Sequence, residues 1–332
     1  MKPMGNLYDN SNAIQPLISV VIITDKQQDL LSKCLKAINR QTVQKEIYEV
    51  IVVNADEDLK FEKRIRKSFP NVRYYSLRDN KGPATARNYG WLTAKGKLIA
   101  FTGGDCIPDK NWLHEIYYNY NNETEIAFTG RVQVPLPHSP TDFELNSARN
   151  AEVTFSTANC ICTKASLIKV GGFDERFKMA SRADSDLEFK LLSEKISIVK
   201  LENAIVTQPV KKASWGISIR EQKKSMFNAL LYKKFPILYR QKNTDEPPYY
   251  YYLMILLFMG MIYGIVSANP LILETTLLGY SSFFLWFTFK RLKNSSRRIE
   301  HVAEMLVTSM VIPFVSVYWQ WYGAFKYKVV FR

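Results

Sequence analysis

The sequence predicts an α/β domain with a mainly parallel sheet, followed by a C-terminal membrane region. Three observations carry that prediction. Four apolar runs, Leu17–Thr24, Glu49–Asn54, Val72–Leu77 and Lys97–Gly104, alternate with stretches of helical spacing. That order builds parallel strands joined by helical crossovers. Residues 249–273 carry no charged side chain, a longer run than the roughly 20 residues that cross a hydrocarbon core. Finally, +11 of the +14 formal charges fall in residues 205–332, which hold 17 Lys and Arg against 6 Asp and Glu. That is the arrangement expected beside an anionic membrane face.

Residues 1–16 are polar and contain no apolar run of the secretory kind. They are expected to be loose, with the following domain in the cytoplasm. LISVVIIT (Leu17–Thr24) is continuous and β-branched, as a strand buried on both faces is. Leu31, Leu35 and Ile38 then recur at helical spacing within Asp29–Arg40. Glu49–Asn54 is the second strand, Glu62–Ser68 a short basic helix and Val72–Leu77 the third strand. Pro83 suits the first turn of a helix that runs to Ala94 and stops before Gly96. Lys97–Gly104 is the fourth strand, followed by a helix carrying Trp112, Leu113 and Ile116. Ile126–Val134 reads as a strand, and Phe155–Thr163 leads into a short helix and a glycine turn. Asp184–Ser193 is a helix with acids in its first turn, where the helix dipole favours them. Ile196–Pro209 closes the domain as strand material, while residues 131–150 carry no decisive pattern.

The expected divisions are 17–210 for this domain, 211–248 for a basic amphipathic segment and 249–332 for the membrane region. In residues 211–234, Trp215, Ile219, Phe227 and Leu231 recur roughly every four residues with Lys between them, the pattern of a helix lying on a membrane. Helices are expected at about 249–269, 271–289 and 302–325. The first two make a hairpin with a tyrosine belt at Tyr249–Tyr252, returning to the positive-inside run KRLKNSSRR. The third run, Met305–Phe325, is uncharged but flanked by basic residues on both sides. A re-entrant or interfacial helix is favoured there over a third span.

Composition excludes several classes. With 47% hydrophobic and 23% charged residues the chain is not globally disordered. Its basic residues form no compact Arg/aromatic motif, so nucleic acid is not the expected partner. The four cysteines, Cys34, Cys106, Cys160 and Cys162, have no zinc-type spacing and are expected as buried thiols.

Ligands of such sheets bind beyond the C-terminal strand ends, where Thr24, Asn54 and Asp105 sit. Four motifs lie around that edge: NKGPATARNYG (Asn80–Gly90), GGDCIPDKNW (Gly103–Trp112), GGFDERF (Gly171–Phe177) and ADSDLE (Ala183–Glu188). In combination they resemble family 2 glycosyltransferases with a GT-A fold, of the bacterial membrane-associated type. The resemblance covers about residues 17–235. It implies inverting transfer of one sugar from a nucleotide-sugar donor to a glycan or lipid-linked acceptor at the bacterial inner membrane. The signature of processive synthases is absent.

The same resemblance assigns roles. Asp105 stands for the last acid of the family's metal-binding triplet, although Gly103 and Gly104 precede it. It is the expected ligand of a divalent cation, Mg²⁺ or Mn²⁺, which suits hard oxygen donors. Thr24, Asn54 and Asp56 fall near the nucleobase, and Lys81, Arg87 and Gly104 along the donor edge. Asp184 is the expected catalytic base, with Asp186 as the second candidate. Three positions depart from the family pattern: Gly103, Ala183 and Gln208, the last where relatives carry a histidine. These departures leave a second class open, a membrane-anchored scaffold with a degraded site.

Overall fold

Ile18–Thr24 forms β1, with a parallel neighbour on each side, and its β-branched residues are buried except for Ile23, which is half-buried. The computed structural model describes residues 15–24, 28–55, 57–78, 82–151, 154–179, 181–210, 213–242 and 249–329. After β1 comes α1 (Gln28–Asn39), which buries Leu31, Leu35 and Ile38, the three residues its spacing singles out. β2 (Tyr48–Asn54) and β3 (Val72–Ser76) flank α2 (Leu59–Ser68). α2 starts earlier than its apolar spacing suggests, because Asp58 caps it by accepting Phe61 N–H at 2.9 Å. Such a cap is worth about 1 kcal/mol. α3 (Pro83–Thr93) has Pro in its first turn and leads to β4 (Leu98–Gly103).

The second half adds β5 (Ile107–Pro108), α4 (Trp112–Asn119), β6 (Ala127–Gln133) and α5 (Asp142–Ala151). β7 (Cys160–Thr163), α6 (Lys164–Val170), α7 (Ala183–Ser193) and β8 (Ile198–Thr207) complete it. The eight strands lie in the order β3-β2-β1-β4-β7-β6-β8-β5. β3, β2, β1 and β4 are mutually parallel, and β7 is antiparallel to both its neighbours. The expected mainly parallel sheet is therefore present, with β7 and β5 reversed. Alternate residues Val20, Ile22, Val50, Val52 and Ala100 pack against α1 and against Trp112, Leu113 and Ile116 of α4 in one core.

Glu49 ties the parallel half together. It accepts Ser19 Oγ–H at 2.7 Å, Arg73 Nη1–H at 2.6 Å and Lys95 N–H at 2.6 Å, joining β2 to its neighbours. Burial alone would raise its pKa, but these donors outweigh burial and hold it below the ordinary value.

The chain divides into two compact units. Among the described residues, one comprises 15–135 and 150–209, and the other 136–149 and 210–329. The second unit begins with α8 (Ile217–Glu221), a 3-10 turn (Gln222–Ser225), α9 (Met226–Lys234) and α10 (Pro236–Lys242). The single helix expected over 211–234 is thus broken. Three long helices follow: α11 (Tyr249–Val266), α12 (Pro270–Leu292) and α13 (Ile299–Tyr327). All three are long and apolar enough to cross a membrane. Asn269 caps α12 through Ile272 N–H, fixing the hairpin turn. Residues 136–149, without a decisive sequence pattern, pack in this second unit through α5. Its Asp142 forms a 2.8 Å ion pair with Arg291 of α12.

Candidate functional site

Three strand ends line one edge of the sheet. Thr24 closes β1, Asn54 closes β2, and the two are register partners. β4 pairs Gly103 with Ile23, so its continuation, Gly104–Asp105, turns over the end of β1. Gly104 N–H donates to the Ile23 carbonyl at 2.8 Å. Any larger residue there would clash, since a Cβ would stand 2.8 Å from Thr24 Cβ and Oγ1. Thr24 and Asn54 are themselves buried. Their carbonyls accept from Ala55 and Leu77 N–H, each at 3.0 Å. Asp105 is half-buried. Asp56 and Lys81, expected on this edge, lie outside the described residues.

Arg87 sits in the second turn of α3. Its Nη2 donates to Thr157 Oγ1 at 2.9 Å, and its guanidinium lies 5.5 Å over the Phe173 ring. Desolvation holds its pKa below the usual guanidinium value, while nearby groups that include Asp184 and Asp105 pull the other way. One cation therefore feels both the acid beyond β4 and the acid at the start of α7.

Asn88, the next residue, binds the glycine turn with its side-chain amide. Nδ2 donates to Phe173 O and Oδ1 accepts from Phe173 N–H, both at 2.9 Å. Nδ2 also reaches Glu175 Oε1 at 2.9 Å, and Thr85 Oγ1 donates to Glu175 Oε2 at 2.9 Å. The ARN motif thus fixes the GGFDERF turn to α3, a role the sequence reading did not assign to Asn88 or Glu175. Asn159 was missed altogether. It is fully buried, accepts Trp112 Nε1–H at 2.8 Å and donates to the carbonyls of Ala204 and Arg131 at 2.8 and 3.0 Å. It joins β6, β8 and α4 just before β7. A lone asparagine ahead of an apolar strand carries no sequence signal for that.

α7 separates the two candidate bases. Asp184 is half-buried and accepts the Ser185 N–H at 2.9 Å. Asp186 is fully buried and pairs with Lys190 at 3.4 Å, one turn on. Asp184 is therefore open to a molecule from solution, and Asp186 is not. The residue before α7, Arg182, has φ 62, a conformation uncommon for a side chain of this size.

No three His, Cys, Asp or Glu side chains come together as a metal cluster among the described residues. Asp105 supplies one carboxylate. The register of β5 against β8, Ile107 opposite Thr207, brings Gln208 level with Cys106. Gln208 brings a neutral amide there instead of an imidazole. Such a set does not make a protein cage. It does fit a divalent cation held mainly by phosphate oxygens with a single protein carboxylate. Burial pushes the thiols of Cys106 and Cys160 up to about 12, which keeps both in the thiol form at neutral pH.

Residues 19–174 match the family model described as Glycosyl transferase family 2. The chain is 29% identical over 132 residues to Glycosyltransferase AglE of Haloferax volcanii, covering 39% of this chain and 43% of that one. It is 33% identical over 116 residues to the poly(ribitol-phosphate) beta-glucosyltransferase of Bacillus spizizenii, covering 34% and 18%. The chain thus spans less than half the length of these two relatives. Among solved structures it resembles the mannosyltransferase PcManGT from Pyrobaculum calidifontis in complex with GDP-Man and Mn²⁺. The TM-score is 0.52 at 15% identity, over 93% of this chain and 88% of that one. It also resembles GalNAc-T7 with UDP, GalNAc and Mn²⁺, with TM-score 0.51 at 12% identity, over 67% and 51%. At these identities the likeness establishes the fold, and the fold is the expected GT-A.

Proposed function

We propose, from the match of residues 19–174 to the model described as Glycosyl transferase family 2, that the chain is an inverting glycosyltransferase. It moves one sugar from a nucleotide-diphosphate sugar to a lipid-linked or cell-surface glycan acceptor at the cytoplasmic face of a bacterial membrane. Residues 17–210 do the chemistry, 211–248 lie at the interface and 249–332 anchor the chain. The observation that carries this reading is the joint setting of Asp105, Arg87 and Asp184 beside the strand ends of a GT-A fold. The three long apolar helices support the membrane part.

In this mechanism the nucleobase lies at the edge formed by Thr24 and Asn54. Arg87 faces the diphosphate from α3, and Gly104 lets the backbone approach; the resemblance adds Asp56 on the nucleobase side and Lys81 on the diphosphate side. Asp105 would hold a divalent cation, Mg²⁺ or Mn²⁺, which when bound would supply positive charge against the departing diphosphate. Asp184 accepts the proton of the acceptor hydroxyl as its oxygen attacks the anomeric carbon. The new C–O bond forms on one face of the sugar as the bond to the nucleoside diphosphate breaks on the other, so the configuration inverts. Asp186 does not meet the acceptor; it pairs with Lys190 and stiffens the helix that carries Asp184.

Removing a general base costs about 10²–10⁴ in turnover. Asp184→Asn is therefore expected to lose that much in kcat with donor binding nearly unchanged. Asp105→Ala is expected to weaken donor binding only when Mg²⁺ or Mn²⁺ is present. Turnover by Asp184→Asn at the parent rate contradicts the base assignment, and metal-independent donor binding by the parent contradicts the role of Asp105.

A second reading is favoured by the altered positions Gly103, Ala183 and Gln208: a membrane-anchored relative that binds nucleotide without turnover. Nucleotide binding with no transfer to any acceptor preparation would select it.

A further inference from the structure

We infer that α13 does not cross the bilayer but lies in its plane, on the side from which the α11–α12 hairpin enters, with its apolar face among the lipid acyl chains. The partner surface is a phospholipid bilayer met sideways. This rests on the membrane reading above and goes beyond it, because length and composition alone make α13 as good a span as α11 or α12.

The first observation is what lies along the other face of α13. Gly216 N–H donates to Glu304 Oε1 at 2.7 Å, near the start of the helix. A Cβ on Gly323 would overlap the backbone of Met226, so helix and segment touch backbone to backbone. Lys233 Nζ donates to the Tyr327 carbonyl at 2.7 Å, at the end of α13. The basic segment from Gly216 to Lys233 therefore runs beside α13 from Glu304 to Tyr327, about 35 Å at 1.5 Å per residue. That segment carries Arg220, Glu221, Lys223, Lys224 and Lys233. A spanning α13 would drag these charges into hydrocarbon, where each is costly.

The second observation is where the hairpin meets α13. Arg291, at the end of α12 where the positive run begins, donates to Thr308 Oγ1 at 2.7 Å and Ser309 Oγ at 3.1 Å. Tyr252, at the start of α11, reaches Gln320 at 3.4 Å. Tyr251, Phe287 and Ile312 share one small core. Both feet of the hairpin thus stand on the middle of α13, between residues 308 and 320. A spanning helix puts an end at the depth of the headgroups, and α13 puts its middle there. The polar network at that point includes the Asp142–Arg291 pair, which also belongs at the boundary and not in the hydrocarbon.

The third observation is the stripe left uncovered. Leu306, Met310, Tyr318, Trp321 and Phe325 recur at helical spacing and are between 39% and 73% exposed. His301, Thr308, Ser309 and Ser316 on the opposite side are buried. A helix with an apolar exposed stripe, and with polar side chains and a cationic neighbour on its covered side, suits the acyl–headgroup boundary.

The test uses the full chain reconstituted in phosphatidylglycerol/phosphatidylethanolamine vesicles, with single reporter cysteines labelled by a membrane-impermeant maleimide. The four native cysteines are buried and give little background. Thr124→Cys reports the side of the catalytic unit, Ser267→Cys the hairpin tip, Asn294→Cys the loop before α13 and Val329→Cys the residue after it. Labelling of Asn294→Cys and Val329→Cys from the same side as Thr124→Cys, with Ser267→Cys reached only from the other side, is the expected result. Labelling of Val329→Cys from the side opposite Thr124→Cys overturns the inference alone. Failure of the chain to stay with vesicles overturns both it and the membrane reading. Should a reporter not fold, nitroxides at Met310 and Phe325 give an independent readout. They are expected at one shallow depth, whereas a span would separate them by about 22 Å.

Discussion

Asp184 and Asp186 stand two positions apart, and an α-helix turns by about 200° over that interval. The consequence is that one carboxylate is half-exposed and the other is locked in the core against Lys190. The sequence string ADSDLE marks both as acids at a helix start and does not say which faces inward. That depends on Leu187 and Leu191, which pack with Asp186 on the buried side. Asp186→Ala is expected to cost about 1–3 kcal/mol in stability, since it removes the carboxylate partner of Lys190, whose ammonium keeps its bond to Gly172 O at 2.8 Å. Thermal denaturation checks this, and an unchanged melting temperature would mean the pair is not structural. Arg87 and Asp105 stand in local motifs, so the sequence alone singles them out as candidates. The roles of Asn88, Glu175 and Asn159 were not, because their partners lie 85, 87 and 47 residues away.

Strands and helices with one continuous chemistry were the easiest to read. β1 and β2 are unbroken β-branched runs, and α1 repeats Leu31, Leu35 and Ile38. α5 was not legible, since the only residue it fully buries is Asp142, whose partner Arg291 is 149 residues on. The break between α8 and α9 was also hidden. Its Gln222–Ser225 turn keeps the apolar spacing while tightening the backbone. Among these elements, the parallel half of the sheet carries a pH-sensitive tie at Glu49. Its folded pKa is lowered from 4.5, so the stability it contributes is present above that value and is lost as pH falls through the lowered one. Denaturant titrations across pH 3–7 are expected to separate the parent from Glu49→Gln most at the upper end, with the gap closing toward acid. A gap that stays constant with pH would contradict the assignment.

At the scale of the whole molecule, a GT-A unit is followed by a basic, apolar unit in the same chain. The division of charge was visible in the sequence, because +11 of +14 lies in residues 205–332. The attachment of residues 136–149 to the second unit was not, because it rests on long-range pairing. The strand ends, Arg87 and Asp184 belong to β1, β2, β4, α3 and α7, which are far apart in the chain, and the proposed transfer chemistry depends on their assembly. Its most direct test is calorimetric titration of the detergent-purified full chain with UDP, GDP and dTDP, each with and without Mn²⁺. The account predicts binding of one nucleotide that requires the metal and is weakened by Asp105→Ala. No binding of any of the three by folded protein, with or without Mn²⁺, would contradict it.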